Sequence, residues 1–421
     1  MFFNNEFVHQ ALLYTGNDLL QYTFRVELRM KDDVNQDALR YAVDCTMQRY
    51  PYLAVKTEEN ETEIDIIHNE SPVVICEGKT TPCLCTEAAN RHFIAVAFEG
   101  NRIFLDVHHG LTDGTGMERV AKTLVYYYVT RRYAITIDCA GINTLQTPIA
   151  PDEYKDPFSN AKDLPEKPLS VYAAEPAFHL GSVNNITEKK RIYYFKVKES
   201  DVMKVAKSND GTPNALFSAI LYKAISKHHP DAAEPIVGGV AFSTRKALNI
   251  DASTACLIGI IHIKYNDRVK DASIDKLGTL GRGSIILQSD DQNVLASIPG
   301  KRQLTQYLKT IPDHYQRRMI FHGLIQKTTC LDTYSVSYIG KNDWDCFSDY
   351  VDAYYTIAEP RKGGIILEIN THNGWFDVCV TQDVETDRYV DSVIECLKEF
   401  NIEYSFEGKD EITLPTQKVL P

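Results

Sequence analysis

The segment Ile103-Phe-Leu-Asp-Val-His-His-Gly-Leu-Thr-Asp-Gly-Thr-Gly116 restricts the folds open to this chain more than any other. Alternation predicts a strand with Ile103, Leu105, Val107 and His109 on one face and Phe104, Asp106 and His108 on the other. The chain then turns through Gly110 to Gly114. A helix is predicted to start at once, because Thr115-Gly-Met-Glu118 has the capping-box pattern. Met117, Val120, Ala121, Leu124, Tyr127 and Tyr128 continue it at helical spacing. His109 thus ends an apolar strand face, where burial keeps an imidazole neutral and able to accept a proton. The free N–H groups of a helix start lie beside it. This arrangement suits a general base acting near a developing oxyanion. Asp113 falls in the tight turn, where a carboxylate fixes the loop by pairing with an arginine from elsewhere.

Blander readings compete. A lone histidine at a strand end is most often structural. His228-His229 serves as a control: it ends a predicted helix, precedes Pro230, and has no Asp or Gly in register after it. No catalytic role is expected there. A metal site on His109 and Asp113 lacks a third ligand, so no metal is expected.

Further elements follow from pattern. Phe24–Met30 alternates as a strand, and Asp33 is the expected cap of a helix carrying Leu39, Ala42, Val43, Thr46 and Met47, stopped before Pro51. Strands are expected at 63–68, 92–99, 102–108, 191–198, 235–242, 257–265 and 333–339. Helices are expected at 214–227, 302–319 and 386–400. Asn373-Gly374 between 364–370 and 375–382 signals a hairpin. Six of the seventeen prolines lie between 148 and 176, so this stretch reads as a crossover. The expected units are 1–146, a linker at 147–190, and 191–421. Gly278-Thr-Leu-Gly-Arg-Gly283 lacks dinucleotide spacing and reads as a loop. Gly78-Lys-Thr80 lacks the upstream glycine of a phosphate loop. No Gly-x-Ser-x-Gly elbow occurs.

A net charge of −12 makes nucleic acid an unexpected partner. No run approaches the ~18 apolar residues of a membrane span. The first residues show no secretory signal, so a cytoplasmic location is expected. The ten cysteines form no Cys-x-x-Cys pair. They read as buried free thiols, and the sequons at Asn60 and Asn185 carry little weight without a signal.

His108-His-Gly-Leu-Thr-Asp-Gly114 resembles the His-His-x-x-x-Asp-Gly motif of the chloramphenicol acetyltransferase-like superfamily. That group includes condensation domains, alcohol acetyltransferases and polyketide-associated acyltransferases. The motif's place about a hundred residues into a chain of this length fits as well. Gln48-Arg-Tyr-Pro-Tyr-Leu53, Val240-Ala-Phe-Ser-Thr-Arg-Lys246 and Ser335-Val-Ser-Tyr-Ile-Gly340 look like further family segments. The Asp-Phe-Gly-Trp-Gly motif of the plant branch is missing. The resemblance implies an α/β fold of two chloramphenicol-acetyltransferase-like sandwich halves with a catalytic channel between them. It implies His109 as the base, His108 and Asp113 as motif support, Arg245 as the partner of Asp113, and Gly114 as a backbone donor to the oxyanion.

The implied activity is acyl transfer from a thioester, acyl-CoA or an acyl carrier protein, to a hydroxyl or amine of a small-molecule acceptor. The resemblance is nearest in feel to stand-alone alcohol O-acetyltransferases and polyketide-associated acyltransferases, and the acyl groups it implies are other than amino-acyl. A ternary complex without an acyl-enzyme is expected, since no Cys lies in the motif. The thioester is a co-substrate, and no permanent cofactor is expected. Arg361-Lys362 reads as a solvated turn, with the donor's phosphates as the alternative. One chain supplies both halves, so a monomer suffices. The alternatives are a binding or scaffold protein of the same fold and a free-standing nonribosomal peptide condensation-type domain.

Overall fold

The computed structural model describes residues 14–15, 22–61, 63–158, 164–165, 167–169, 172, 175–329, 331–341 and 343–415. In chain order the first half contains β1 (Thr23–Met30), α1 (Gln36–Arg49), β2 (Val55–Glu59), β3 (Ile64–His68), β4 (Ile75–Glu77), β5 (Ile94–Glu99), β6 (Arg102–His108) and α2 (Gly114–Tyr133). Then come β7 (Ile186–Lys198), α3 (Glu199–Ser208), α4 (Pro213–Ser226), β8 (Ile236–Ser243), β9 (Ile258–Tyr265), α5 (Ile274–Gln288), α6 (Asp291–Ala296), α7 (Ile298–Lys309) and α8 (His314–Thr329). The last elements are β10 (Tyr334–Tyr338), β11 (Val351–Ala358), β12 (Ile365–His372), β13 (Trp375–Val384), α9 (Arg388–Glu399) and β14 (Tyr404–Glu411).

Two sheets organise the molecule. The first has the order β11-β1-β6-β5-β4, and the second β14-β7-β13-β12-β10-β8-β9. The helical stripes of α1 (Leu39, Ala42, Val43) and α2 (Val120, Leu124, Tyr128) share a core with Val26, Leu28, Leu105 and Val107 of the first sheet. In the second half, Leu216 and Ile220 of α4 and Val393 and Leu397 of α9 pack on Val240, Val336, Leu367 and Val378. Each such fully buried aliphatic side chain contributes ~1.5–3 kcal/mol relative to exposure.

β11 was not expected from the sequence. It belongs by order to 191–421, yet it pairs antiparallel with β1, Phe24 opposite Ala358 and Leu28 opposite Tyr354. Its Ala353, Tyr355 and Ile357 also pack on Ile192, Tyr194 and Cys379 of the second sheet. β11 is therefore the joint between the two layers. The proline-rich crossover is anchored at both ends. Glu153, in its first turn, accepts two bonds from Arg49, each 2.9 Å, and one from Tyr52 Oη at 2.7 Å. At the far end the Phe178 N–H donates to the Pro235 carbonyl at 2.9 Å.

Several local expectations change. Asn35, not Asp33, caps α1, its Oδ1 accepting from the Ala38 N–H at 2.9 Å. The predicted 302–319 helix is two helices, α7 and α8, parted where Pro312 has no N–H to give. Gly278 and Gly281 lie inside α5 rather than in a loop. A Cβ on Gly278 would sit 2.5 Å from the Asn209 carbonyl, and one on Gly281 2.9 Å from the Ala215 Cβ. Those glycines serve close packing, not a turn. The reading of the cysteines as free thiols also needs correction, because Cys139 and Cys346 form a disulfide. It ties the chain just after α2 to the segment entering β11. Cys330 lies outside the described residues. The hairpin is as expected: β12 pairs with β13, His372 opposite Trp375, with Asn373 and Gly374 at φ 49° and 73°.

Candidate active site

β6 ends at His108, and the two histidines part there. His108 is fully buried. Its Nδ1 accepts from the Gly110 N–H at 3.0 Å, which leaves Nε2 as the donor to Thr15 Oγ1 at 3.1 Å. Phe93 meets the ring edge-on. Burial pushes its pKa down to about 4. His108 is thus a neutral, fully bonded core group on the Phe104 and Asp106 face. That face is closed as well, with Arg25 forked onto Asp106 at 2.6 and 2.8 Å.

His109 remains partly open to solvent. Its N–H donates to the Tyr22 carbonyl at 2.6 Å, which holds the loop to the start of β1. The ring stacks on Tyr22 at 5.1 Å and leans on Phe24 at 4.9 Å. Burial lowers its pKa, while the carbonyls of His109 and Thr112 and the charge of Asp113 work against that. The imidazole is therefore neutral near pH 7.

The loop is held by Asp113, whose partners come from both halves. Arg245, just past β8, donates through both terminal nitrogens to Oδ1 and Oδ2, each at 2.8 Å. Oδ1 also accepts from the Gly116 N–H at 2.9 Å and Oδ2 from the Leu257 N–H at 2.8 Å. Arg245 spends its other donors on the carbonyls of Ser253 at 2.8 Å and Ala255 at 2.7 Å. Asp113 is thus the N-cap of α2, which corrects the expectation of Thr115 there. The helix begins two residues earlier because the Asp side chain reaches the Gly116 N–H. A Cβ on Gly116 would lie 2.4 Å from the Thr254 carbonyl, and one on Gly114 2.9 Å from Ile339. Glycine at both positions lets the helix start seat against the second half.

Sequence reasoning missed two groups at the histidine, Tyr22 and Cys256. Cys256 Sγ lies 3.5 Å from His109 Nδ1. Burial, with Asp113 adding, pushes its thiol up to about 12. Nothing local marks Cys256, which is 147 residues from His109. Its position two residues before β9 and eleven after Arg245 becomes telling only once the Arg245 and Asp113 pair is known.

These features place the protein in a fold class: it has the chloramphenicol acetyltransferase-like fold, the two-layered α/β architecture shared with condensation domains. No protein-family model matches the sequence. No curated protein matches it either. Among solved structures it is similar to TRI101 of F. sporotrichioides, crystallised with coenzyme A and T-2. That match has a TM-score of 0.58 and 11% identity, and covers 93% of this chain and 97% of that one. Polyketide synthase associated protein 5 of Mycobacterium tuberculosis gives a TM-score of 0.59 at 10% identity, over 92% and 95% of the two chains. The condensation domain of the monacolin K polyketide synthase MokA gives 0.57 at 10%, over 93% and 95%.

Proposed function

We propose that the protein is an acyltransferase that moves an acyl group from a thioester to a hydroxyl or amine of a small-molecule acceptor. The observation that carries this reading is His109: neutral, reachable, and fixed where the halves meet by the Arg245 and Asp113 clasp. In the proposed step the acceptor oxygen or nitrogen attacks the thioester carbonyl, and His109 takes the acceptor's proton. The tetrahedral intermediate then collapses, the carbon–sulfur bond breaks, and the leaving thiolate receives that proton from the imidazolium. General-base action of this kind contributes roughly 10²–10⁴-fold. Holding both reactants in one site supplies further rate through proximity.

Transfer is direct. Cys256 touches the base, but a thiol whose pKa is pushed up to about 12 stays protonated and is a poor nucleophile. Gly114 is the proposed backbone donor to the oxyanion, and His108 and Asp113 hold the loop. Coenzyme A in the TRI101 structures favours acyl-CoA as the donor. The likeness to a condensation domain keeps an acyl carrier protein as the second donor to test. No helix among the described residues is long and apolar enough to cross a membrane. The cytoplasm is the location proposed from the sequence. The Cys139–Cys346 bond weighs against it, since disulfides are rare in cytosolic proteins.

The test is thiol release from acetyl-CoA, with and without a panel of alcohols and amines, and mass spectrometry of the products. Acceptor-dependent release with an acylated acceptor supports the reading. Absence of release from acetyl-CoA, longer acyl-CoAs and an acyl carrier protein alike would favour a binding protein of this fold.

A further inference from the structure

A polar strip on the second sheet is unused by the proposed chemistry. β10 pairs parallel with β12 on one side and with β8 on the other. A parallel strand covered on both faces reads as a near-continuous apolar run. β10 alternates instead: Tyr334 and Val336 are buried, while Ser335 and Ser337 are partly open. β12 does the same beside it, with Ile365, Leu367 and Ile369 buried and Ile366 and Glu368 partly open. Ser335 pairs with Ile366 and Ser337 with Glu368, so these four side chains share one face. Val336, Leu367 and Ile369 pack in the helix-covered core on the other. Both strands are internal to the sheet, so the open surface of the four lies on the face away from the helices.

That face leads to the histidine. Thr356 of β11, in the first sheet, donates through Oγ1 to Glu368 Oε2 at 3.2 Å, so the strip lies where the two halves meet. Along β10 it continues to Ile339, which is partly open as well. The Ile339 Cγ2 lies 2.9 Å from the place a Cβ would take on Gly114, at the end of the His109 loop. Strand register gives the separation. His108 is opposite Thr23 and Thr356 is opposite Val26. Thr356 is therefore four residues along and two strands across from His109, roughly 15 Å at the backbone.

Glu368 is the one charged side chain on the strip, and it forms no ion pair among the described residues. Burial raises its carboxyl to about 7, and the hydroxyls of Ser337 and Thr356 are what oppose that. A carboxylate has about four acceptor positions, so two hydroxyls leave about half of them open. A carboxyl set this deep without a cation is costly unless further donors reach it. The chemistry of the strip also sorts the reactants. An acyl chain is apolar and gains nothing from two serines and a glutamate. The phosphates of a coenzyme A donor would be repelled by a carboxylate. The reactant that suits the strip is the acceptor.

We propose that Glu368, with Ser337 beside it, selects an elongated acceptor bearing a second hydrogen-bond donor, a hydroxyl or an ammonium, remote from the group that His109 deprotonates. This rests on the acyl-transfer reading and names the acceptor class for it. The experiment uses the full-length protein and three series of compounds: terminal diols, amino-alcohols and mono-alcohols of six, eight and ten carbons. Binding is read by calorimetry and turnover by thiol release from acetyl-CoA. The wild type should bind diols or amino-alcohols of fitting length about tenfold or more tighter than the matching mono-alcohols, with the same preference in kcat/KM. The better series shows whether a hydroxyl or an ammonium is received. Glu368→Gln turns one acceptor oxygen into a donor, and Glu368→Met removes both while keeping the bulk. In each the preference should fall by about tenfold or more. The proposal is overturned if no diol or amino-alcohol binds, if the wild type binds all three series alike, or if either variant, shown folded by its unfolding curve, keeps the full preference. A Glu368-dependent preference in binding with no thiol release from any thioester would support this subsite and overturn the acyl-transfer reading alone.

Discussion

The chain contains two His-His pairs, and they differ in almost every physical respect. At 228–229 the pair ends α4 and meets α9. His228 Nε2 bonds Ser392 Oγ at 2.9 Å and His229 Nε2 bonds Tyr389 Oη at 2.6 Å. Both rings serve to fasten one helix to another. At 108–109 the pair ends a strand, where successive side chains diverge. One ring is used up in the core, and the other is left against Tyr22, Phe24 and Cys256 with a face to solvent. The dipeptide alone therefore says little. What separates the pairs is the backbone that carries them and the Asp four residues after His109, clasped by Arg245.

The largest expected effect breaks that clasp. Asp113→Ala strands a buried guanidinium and should cost ~3–5 kcal/mol, read by urea or thermal unfolding. A double-mutant cycle with Arg245→Ala should show strong coupling, since the two are in direct contact. Strict additivity would mean that the clasp does not hold the loop. Next in size is His108→Ala, which leaves the Gly110 N–H without its acceptor and should cost ~1–3 kcal/mol. His108 also makes the fold acid-sensitive. The unfolded chain takes up a proton near pH 6.5, while the folded ring resists to about 4. Stability from this group is therefore complete above about pH 6.5 and lost as pH falls toward 4. His108→Gln should flatten that part of the stability–pH curve. In the control pair, His229→Ala should cost ~1 kcal/mol, about one hydrogen bond, and leave turnover untouched.

Smaller effects sharpen the role of His109. Because burial lowers its pKa, the acid limb of kcat/KM should lie below the ordinary imidazole value of ~6.5. A limb above that value would assign the base to another group. The smallest effect is expected from Cys256→Ser, with kcat within a few-fold of wild type. Rapid quench with labelled donor and no acceptor should leave no label on the protein. A stoichiometric acyl-Cys256 that passes its acyl group to acceptor would replace direct transfer with a covalent route.

Much of the fold and of the candidate site was legible where the signal is local. Alternation through Phe24–Met30 and Ile103–His108, the Asn373-Gly374 turn, and the His-His-x-x-x-Asp-Gly segment each announce their structure within a few residues. The Arg245 partner was legible only through the family resemblance. What escaped depends on distant pairing. β11 makes sense only against β1, more than three hundred residues earlier in the chain. The Cys139–Cys346 bond closes a separation of 207 residues. Cys256 reaches His109 because Arg245 draws its loop across. Gly278 and Gly281 misled for another reason: glycines that break an isolated helix are tolerated where a neighbouring segment, Asn209 for one and Ala215 for the other, fills the space a Cβ would take.

The central claim is that His109 alone among these four histidines is the base. It is tested most directly by acyl-CoA thiol release at saturating acceptor for His109→Ala, His108→Ala, His228→Ala and His229→Ala, each shown folded by its unfolding curve. The account predicts that His109→Ala loses about a hundred-fold or more in kcat with little change in stability, while the other three retain turnover in proportion to folded protein. Wild-type turnover in His109→Ala would contradict it.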